Sequence, residues 1–172
     1  RAGHDLNYIA TGGVLGMTGP RGGAPQVPGV QIADLAGGGL WGATAILGAL
    51  VGRDRNAKGA HLDISMTEGS LALLVAEFGN LFCGANPSRG TEILNGAAAC
   101  YAVYRTKDDR YVSVGALEPK FWIALNQAIG RAPNVAEIVD MNLQAKTRDE
   151  LAAVVDERAK SDVEHPGGAC VR

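Results

Sequence analysis

The chain has 172 residues, a formal net charge of −2 and a pI near 5.9, with 47% hydrophobic and 20% charged residues. This is globular composition: it excludes a disordered or collagen-like chain and offers no electrostatic case for a nucleic-acid partner. Glycine departs from the norm, with 24 residues (about 14%, roughly twice the usual share), 14 of them in the first 52 positions.

Asp5–Thr11 predicts a short helix with Asp5 as its N-cap. From Gly12 to Gly29, glycine pairs and prolines at 20, 25 and 28 predict a long loop. Inside a compact domain such a loop binds something or wraps a partner. Ile32–Val51 is apolar apart from Asp34, and its uncharged part, Leu35–Val51, runs for 17 residues, the lower edge of a membrane span. Asp34 and Arg53 at its ends, and the polar turn Arg53–Gly59 after it, predict instead a buried helix of a soluble protein. Ala60–Ser65 alternates and predicts a short strand, and Met66–Phe82 a second, largely apolar helix. Gly84–Ala97, with its Gly, Asn, Pro and Ser, reads as a linker.

Beyond the linker glycine becomes scarce. Cys100–Arg105 and Arg110–Gly115 are two period-2 runs around the polar turn Thr106–Asp109, a hairpin signal. Glu118-Pro119 opens a helix through Ile129, with proline at the first helical position that it favours. Asn134–Asp140 and Thr147–Lys160 predict further helices, the second with a capping box from Thr147 to Glu150. The order is a helix-rich part, a linker and an α+β module, an α/β chain overall. It opens on Arg1-Ala2-Gly3-His4 without Met or a signal-peptide pattern, and so reads as an internal piece of a longer protein. Cys83, Cys100 and Cys170 are odd in number, widely spaced and without a C-x-x-C pair. They suggest neither a zinc site nor a disulfide framework, and fit a reducing, cytoplasmic setting.

Four polar residues sit where chemistry is possible: His4 and Asp5 before the first helix, Asp34 entering the long apolar one, and Glu118 at a helix mouth directly after a strand. Each has a plain reading too. The acids fit caps or first-turn positions that satisfy a helix dipole, and His4 fits a surface histidine. His61 and Asp63 read as structural, and Trp41 and Trp122 as core residues.

Taken together, Gly3-His4-Asp5-Leu6-Asn7-Tyr8, Ile32-Ala33-Asp34-Leu35-Ala36-Gly37-Gly38-Gly39 and Gly115-Ala116-Leu117-Glu118-Pro119-Lys120-Phe121 resemble the family III CoA-transferases, in particular the branch containing α-methylacyl-CoA racemase. Lys58-Gly59-Ala60-His61-Leu62-Asp63, the hairpin around Tyr101–Tyr104 and Gly168-Ala169-Cys170-Val171 add to the likeness in the same order. Asn95-Gly96-Ala97 departs from it, standing where racemases commonly carry Asp-Gly-Gly.

The resemblance implies an interlocked homodimer of two-lobed protomers. Each acyl-CoA lies between the large domain of one chain and the small domain of the other. Residues 1–65 then correspond to the end of the large domain's first segment, 66–95 to a helix and linker, and 96–172 to an incomplete small domain. By the same resemblance His4 is a base on one face of the substrate α-carbon and Asp34 the base on the other. Glu118 pairs with the histidine and holds its tautomer. The glycines Gly37, Gly38 and Gly39 would let backbone approach the thioester oxygen, and the basic turn with Arg53 and Lys58 would meet the CoA phosphates. The CoA thioester is the substrate; no permanent cofactor, metal or membrane partner is implied. Two alternatives stay open. In transferase members the acid corresponding to Asp34 is a nucleophile that forms a covalent thioester. Alternatively, the chain is an inactive structural or dimerisation module.

Overall fold

A computed structural model describes residues 2–106, 109–132, 150–153 and 170–171. The chain divides into two units, Arg1–Arg89 and Gly90–Arg172. In the first, helix α1 (Asp5–Thr11) has His4 as its N-cap, one residue earlier than the sequence predicts. His4 closes the turn on both sides: its N–H donates to Asn7 Oδ1 at 3.0 Å, and its carbonyl accepts from the Asn7 and Tyr8 amides at 2.8 and 3.2 Å. Asp5 is therefore not the cap of its own helix.

The predicted long loop is broken by a single helical turn, α2 (Val14–Met17), and then folds back on itself. Gln26 N–H donates to the Thr18 carbonyl at 3.0 Å, and Gly19 takes a φ of +121°, a conformation open to glycine. Arg89 holds the loop, its Nη1 and Nη2 donating to the carbonyls of Gly16 and Gly23 at 2.5 and 2.6 Å. What the loop wraps in this chain is that guanidinium.

The apolar stretch forms one rod of two windings, a π-helical segment (Ile32–Leu40) running into α3 (Trp41–Asn56). Contrary to expectation the rod is not buried within the chain. Ile46, Leu47 and Val51 are each more than half exposed, and none of residues 41–55 of α3 is buried. Ile32–Arg55 is 24 residues, long and apolar enough to cross a membrane by length and composition, with 6% of its most apolar window buried. Ala57, in the left-handed region at φ +52°, ends α3.

No strand forms over Ala60–Ser65, whose residues run as irregular chain. The alternation there has no partner strand among the described residues. The predicted helix 66–82 is split into α4 (Met66–Ala72) and α5 (Val75–Phe82). At the break the amides of Leu73 and Leu74 turn back to the carbonyls of Ser70 and Leu71, three residues earlier. The kink turns Leu74 toward the small core of Ile9, Val14 and Ala33. Ser65 caps α4, its hydroxyl accepting from Glu68 N–H at 3.2 Å.

One contact organises this unit. An ideal Cβ at Gly69 of α4 would stand 2.1 Å from the Gly37 carbonyl oxygen, and one at Gly37 would stand 2.6 Å from the Met66 carbonyl. Backbone crosses backbone there, which only glycine permits. The neighbouring Ser70 is fully buried and returns its hydroxyl to the Met66 carbonyl at 2.7 Å.

In the second unit a 3-10 turn (Ile93–Asn95) precedes the hairpin. Strands β1 (Tyr101–Arg105) and β2 (Tyr111–Gly115) pair antiparallel, Val103 opposite Ser113, as predicted. A third short strand, β3 (Cys170–Val171), adds to β2. Helix α6 (Pro119–Ala128) follows, with Pro119 at its first turn. Trp122, Tyr104, Cys100, Leu151 and three alanines close the core, and the Tyr104 hydroxyl donates to the buried Ala99 carbonyl at 2.8 Å. Arg131 spans from Asn126 Oδ1 (2.8 Å) to Glu150 Oε2 (3.1 Å) and so ties the helical residues 150–153 to α6. The predicted helix 134–140, and the rest of 147–160, lie outside the described residues.

Candidate active site

His4 leaves the N-cap of α1 with extended backbone (φ −121°, ψ 171°) and an exposed side chain. Asp34 lies in the first turn of the π-helical segment, also exposed. That helix begins at Gln31, whose side chain makes no cap. Four N–H groups at such an end need partners from elsewhere. Asp5 supplies one: its Oδ1 accepts from the Asp34 amide at 2.9 Å, across 29 residues of sequence. His4 is thus joined to Asp34 by one peptide link, one carboxylate and one hydrogen bond.

The plain readings of the acids divide. Asp5 is a cap, but of the second helix. Asp34 keeps the first-turn position of its plain reading and Glu118 the N-cap position, but neither carboxylate closes its helix with a hydrogen bond. The Glu118 carbonyl, not its carboxylate, receives the amides of Phe121 and Trp122, at 3.0 and 3.1 Å, and its side chain is exposed in the second unit. Asp34 in the first unit and Glu118 in the second thus each present an exposed carboxylate at a helix mouth without using it to cap that helix.

The residues expected to meet CoA lie apart from one another. Gly37 and Gly38 are turned to α4, where a Cβ on Gly38 would stand 2.8 Å from Met66 Cγ. Gly39 is exposed, its nearest neighbour the Asp34 carbonyl at 3.3 Å. Arg53 and Lys58 are exposed at the opposite end of the rod. At ~1.5 Å per residue Arg53 is roughly 18 Å along the α3 axis from Trp41, with the π-helical segment still between that point and Asp34. Arg53 is 3.9 Å from Asp54 in a solvated pair that contributes little.

Three features escaped the sequence reading. Ser65-Met-Thr-Glu68 is a readable capping-box pattern. The Gly69 crossing and the Asp5–Asp34 bond each join distant segments, and no local spacing encodes them. Asn95 fills the departing position in a local role, its Oδ1 accepting from Glu92 N–H at 2.8 Å.

The described residues mix helices with a small sheet, as in an α/β protein, and carry a histidine and an aspartate at two helix mouths joined through Asp5. Residues 1–165 match the CoA-transferase family III profile, and the chain belongs to that family. Among curated relatives, it is 36% identical over 164 residues to the human alpha-methylacyl-CoA racemase, covering 94% of this chain and 43% of the relative. It is 28% identical over 169 residues to the mouse succinyl-CoA:glutarate CoA-transferase, covering 95% and 37%. Among solved structures, a CAIB/BAIF family protein from Brucella suis superposes with a TM-score of 0.62 at 25% identity, covering 91% of this chain and 46% of that one. A hypothetical protein from Mycobacterium tuberculosis (Rv3272) superposes with 0.65 at 26% identity, covering 92% and 43%. The chain spans less than half the length of each of these proteins.

Proposed function

We propose that the protein processes acyl-CoA thioesters and racemises 2-methylacyl-CoA by moving the α-proton between two bases. The observation that supports this is the hydrogen bond from the Asp34 amide to the Asp5 carboxylate, which ties the helix mouth carrying His4 to the one carrying Asp34. Inverting a carbon next to a thioester needs a base on each face. Neutral His4 takes the α-proton, the C–H electron pair moves into the enolate, and protonated Asp34 returns a proton to the opposite face. The pair ends as imidazolium and carboxylate, ready to run in reverse. Glu118 is the candidate third ionisable group, carried by the second unit. Gly39, rather than the two glycines packed on α4, is the better placed of the three to let a thioester approach. Arg53 and Lys58 would meet the distal phosphates. We also propose that the protein is cytoplasmic and a homodimer in which the exposed faces of α3 and α5 are covered; light scattering giving a monomer would refute the latter.

A second reading is favoured by the relatives named as CoA-transferases: Asp34 attacks the acyl-CoA carbonyl and expels CoA thiolate, the thiolate attacks the aspartyl carbonyl to form the aspartyl thioester and release the first acid, and a second carboxylate takes the CoA by the same two steps in reverse. One experiment separates the two. The native protein is incubated with a 2-methylacyl-CoA in deuterated water, and the α-position is followed by NMR. Racemisation places deuterium at that carbon, and His4→Ala lowers the rate by about 10²–10⁴-fold. CoA appearing on an added carboxylic acid, with no α-deuterium and with His4→Ala still active, would establish the transferase instead.

A further inference from the structure

We infer that Asp5 is a positioning residue that sets the spacing between His4 and Asp34, an inference resting on the reading of those two as paired bases. An acid in the first turn of a helix ordinarily serves that helix's own dipole. Asp5 instead sends its carboxylate to the amide of Asp34 at 2.9 Å. The receiving helix has no side-chain cap of its own. Asp5 is half-buried while His4 and Asp34 are exposed, so it is the one of the three withdrawn from solvent. On its other side His4 is held by Asn7 through both its N–H and its carbonyl.

The result is a short rigid chain: α1 fixes His4, the next peptide fixes Asp5, and the carboxylate fixes the backbone of Asp34. Bringing a carboxylate from a distant segment to the Asp34 amide ties two helix mouths together. A cap alone would not need it, since serine, threonine or asparagine at Gln31 would serve. Asp5 acts through the other two and does not touch substrate.

The test measures inversion and α-proton exchange together, on the native protein with one epimer of a 2-methylacyl-CoA in deuterated water. A base that is well placed alone still exchanges the proton, whereas inversion needs both. Asp5→Ala is expected to lower inversion by about 10–10²-fold, because displacing a reacting group by ~1 Å costs that order. Exchange falls less, so the exchange-to-inversion ratio rises while KM stays within about 3-fold, about 0.65 kcal/mol of binding. Asp5→Asn, which keeps an oxygen acceptor for the Asp34 amide, holds the ratio near native. Asp5→Glu keeps the charge but displaces it and raises the ratio, which decides the matter should Asp5→Ala not fold. An unchanged ratio in Asp5→Ala or Asp5→Glu at native melting temperature overturns the inference, as does Asp5→Asn raising it as far as alanine. If the native protein exchanges no α-proton, the racemase reading fails first, before any variant is made.

Discussion

The two units build their interiors in opposite ways. In the second, large side chains point inward: Trp122, Tyr104 and Leu151 are all at most 3% exposed, packed on small residues of the strands and the preceding loop. In the first, the tightest packing is between glycines, at Gly37 and Gly69, and the large side chains turn outward. Val75 is 73% exposed and Phe82 84%. Its buried core is Ile9, Val14 and Ala33. Close approach of two backbones brings the helix bearing Asp34 into place at little cost in side-chain ordering, but it leaves apolar surface for something else to cover. Precision of placement and self-sufficiency of the core are separable properties, and this chain divides them between its halves.

That contrast can be broken by changing size in each direction. Trp122→Ala should cost the second unit about 3–5 kcal/mol, the loss of a buried aromatic plus the cavity it leaves. Urea denaturation followed by far-ultraviolet circular dichroism would measure it, and a loss under 1 kcal/mol would show that the core is not built on Trp122. In the first unit the damaging change is an addition. Gly69→Ala should cost about 1–3 kcal/mol or more, since the methyl group meets backbone and not a movable side chain. A melting temperature equal to the native one would mean that the glycine crossing does not hold Asp34 where it stands. The smallest effect carries the opposite sign. Ala57→Gly should stabilise by about 0.5–1 kcal/mol, because alanine at φ +52° bears left-handed strain that glycine lacks. Differential scanning fluorimetry should register an increase of a few degrees at most; a decrease would contradict it.

What could be read without coordinates followed the range of the signal. The hairpin and the start of α6 were legible because two-residue alternation and Pro119 are local. The helix after Asp5 was legible too, but its cap was misplaced by one residue, because an aspartate's cap is decided by which helix it serves. The strand over Ala60–Ser65 failed for the complementary reason: alternation needs a partner. Burial of the rod failed because composition reports how apolar a helix is and not what lies beside it. Of the candidate site, His4, Asp34 and Glu118 stand out as polar residues at helix mouths and by resemblance, whereas Asp5 reads from its position as the cap of its own helix. A bond across 29 residues leaves no mark on local spacing.

Arg89 is the last residue of the first unit, and it reaches back 73 residues to hold the Gly16 carbonyl. The unit is thereby closed into a ring by a side chain, with the glycine-rich loop as its clasp. Its guanidinium Nε is buried without a hydrogen-bond partner among the described residues, a standing cost that the two donated bonds must outweigh. Removing that one side chain would release both loop carbonyls at once and open the ring.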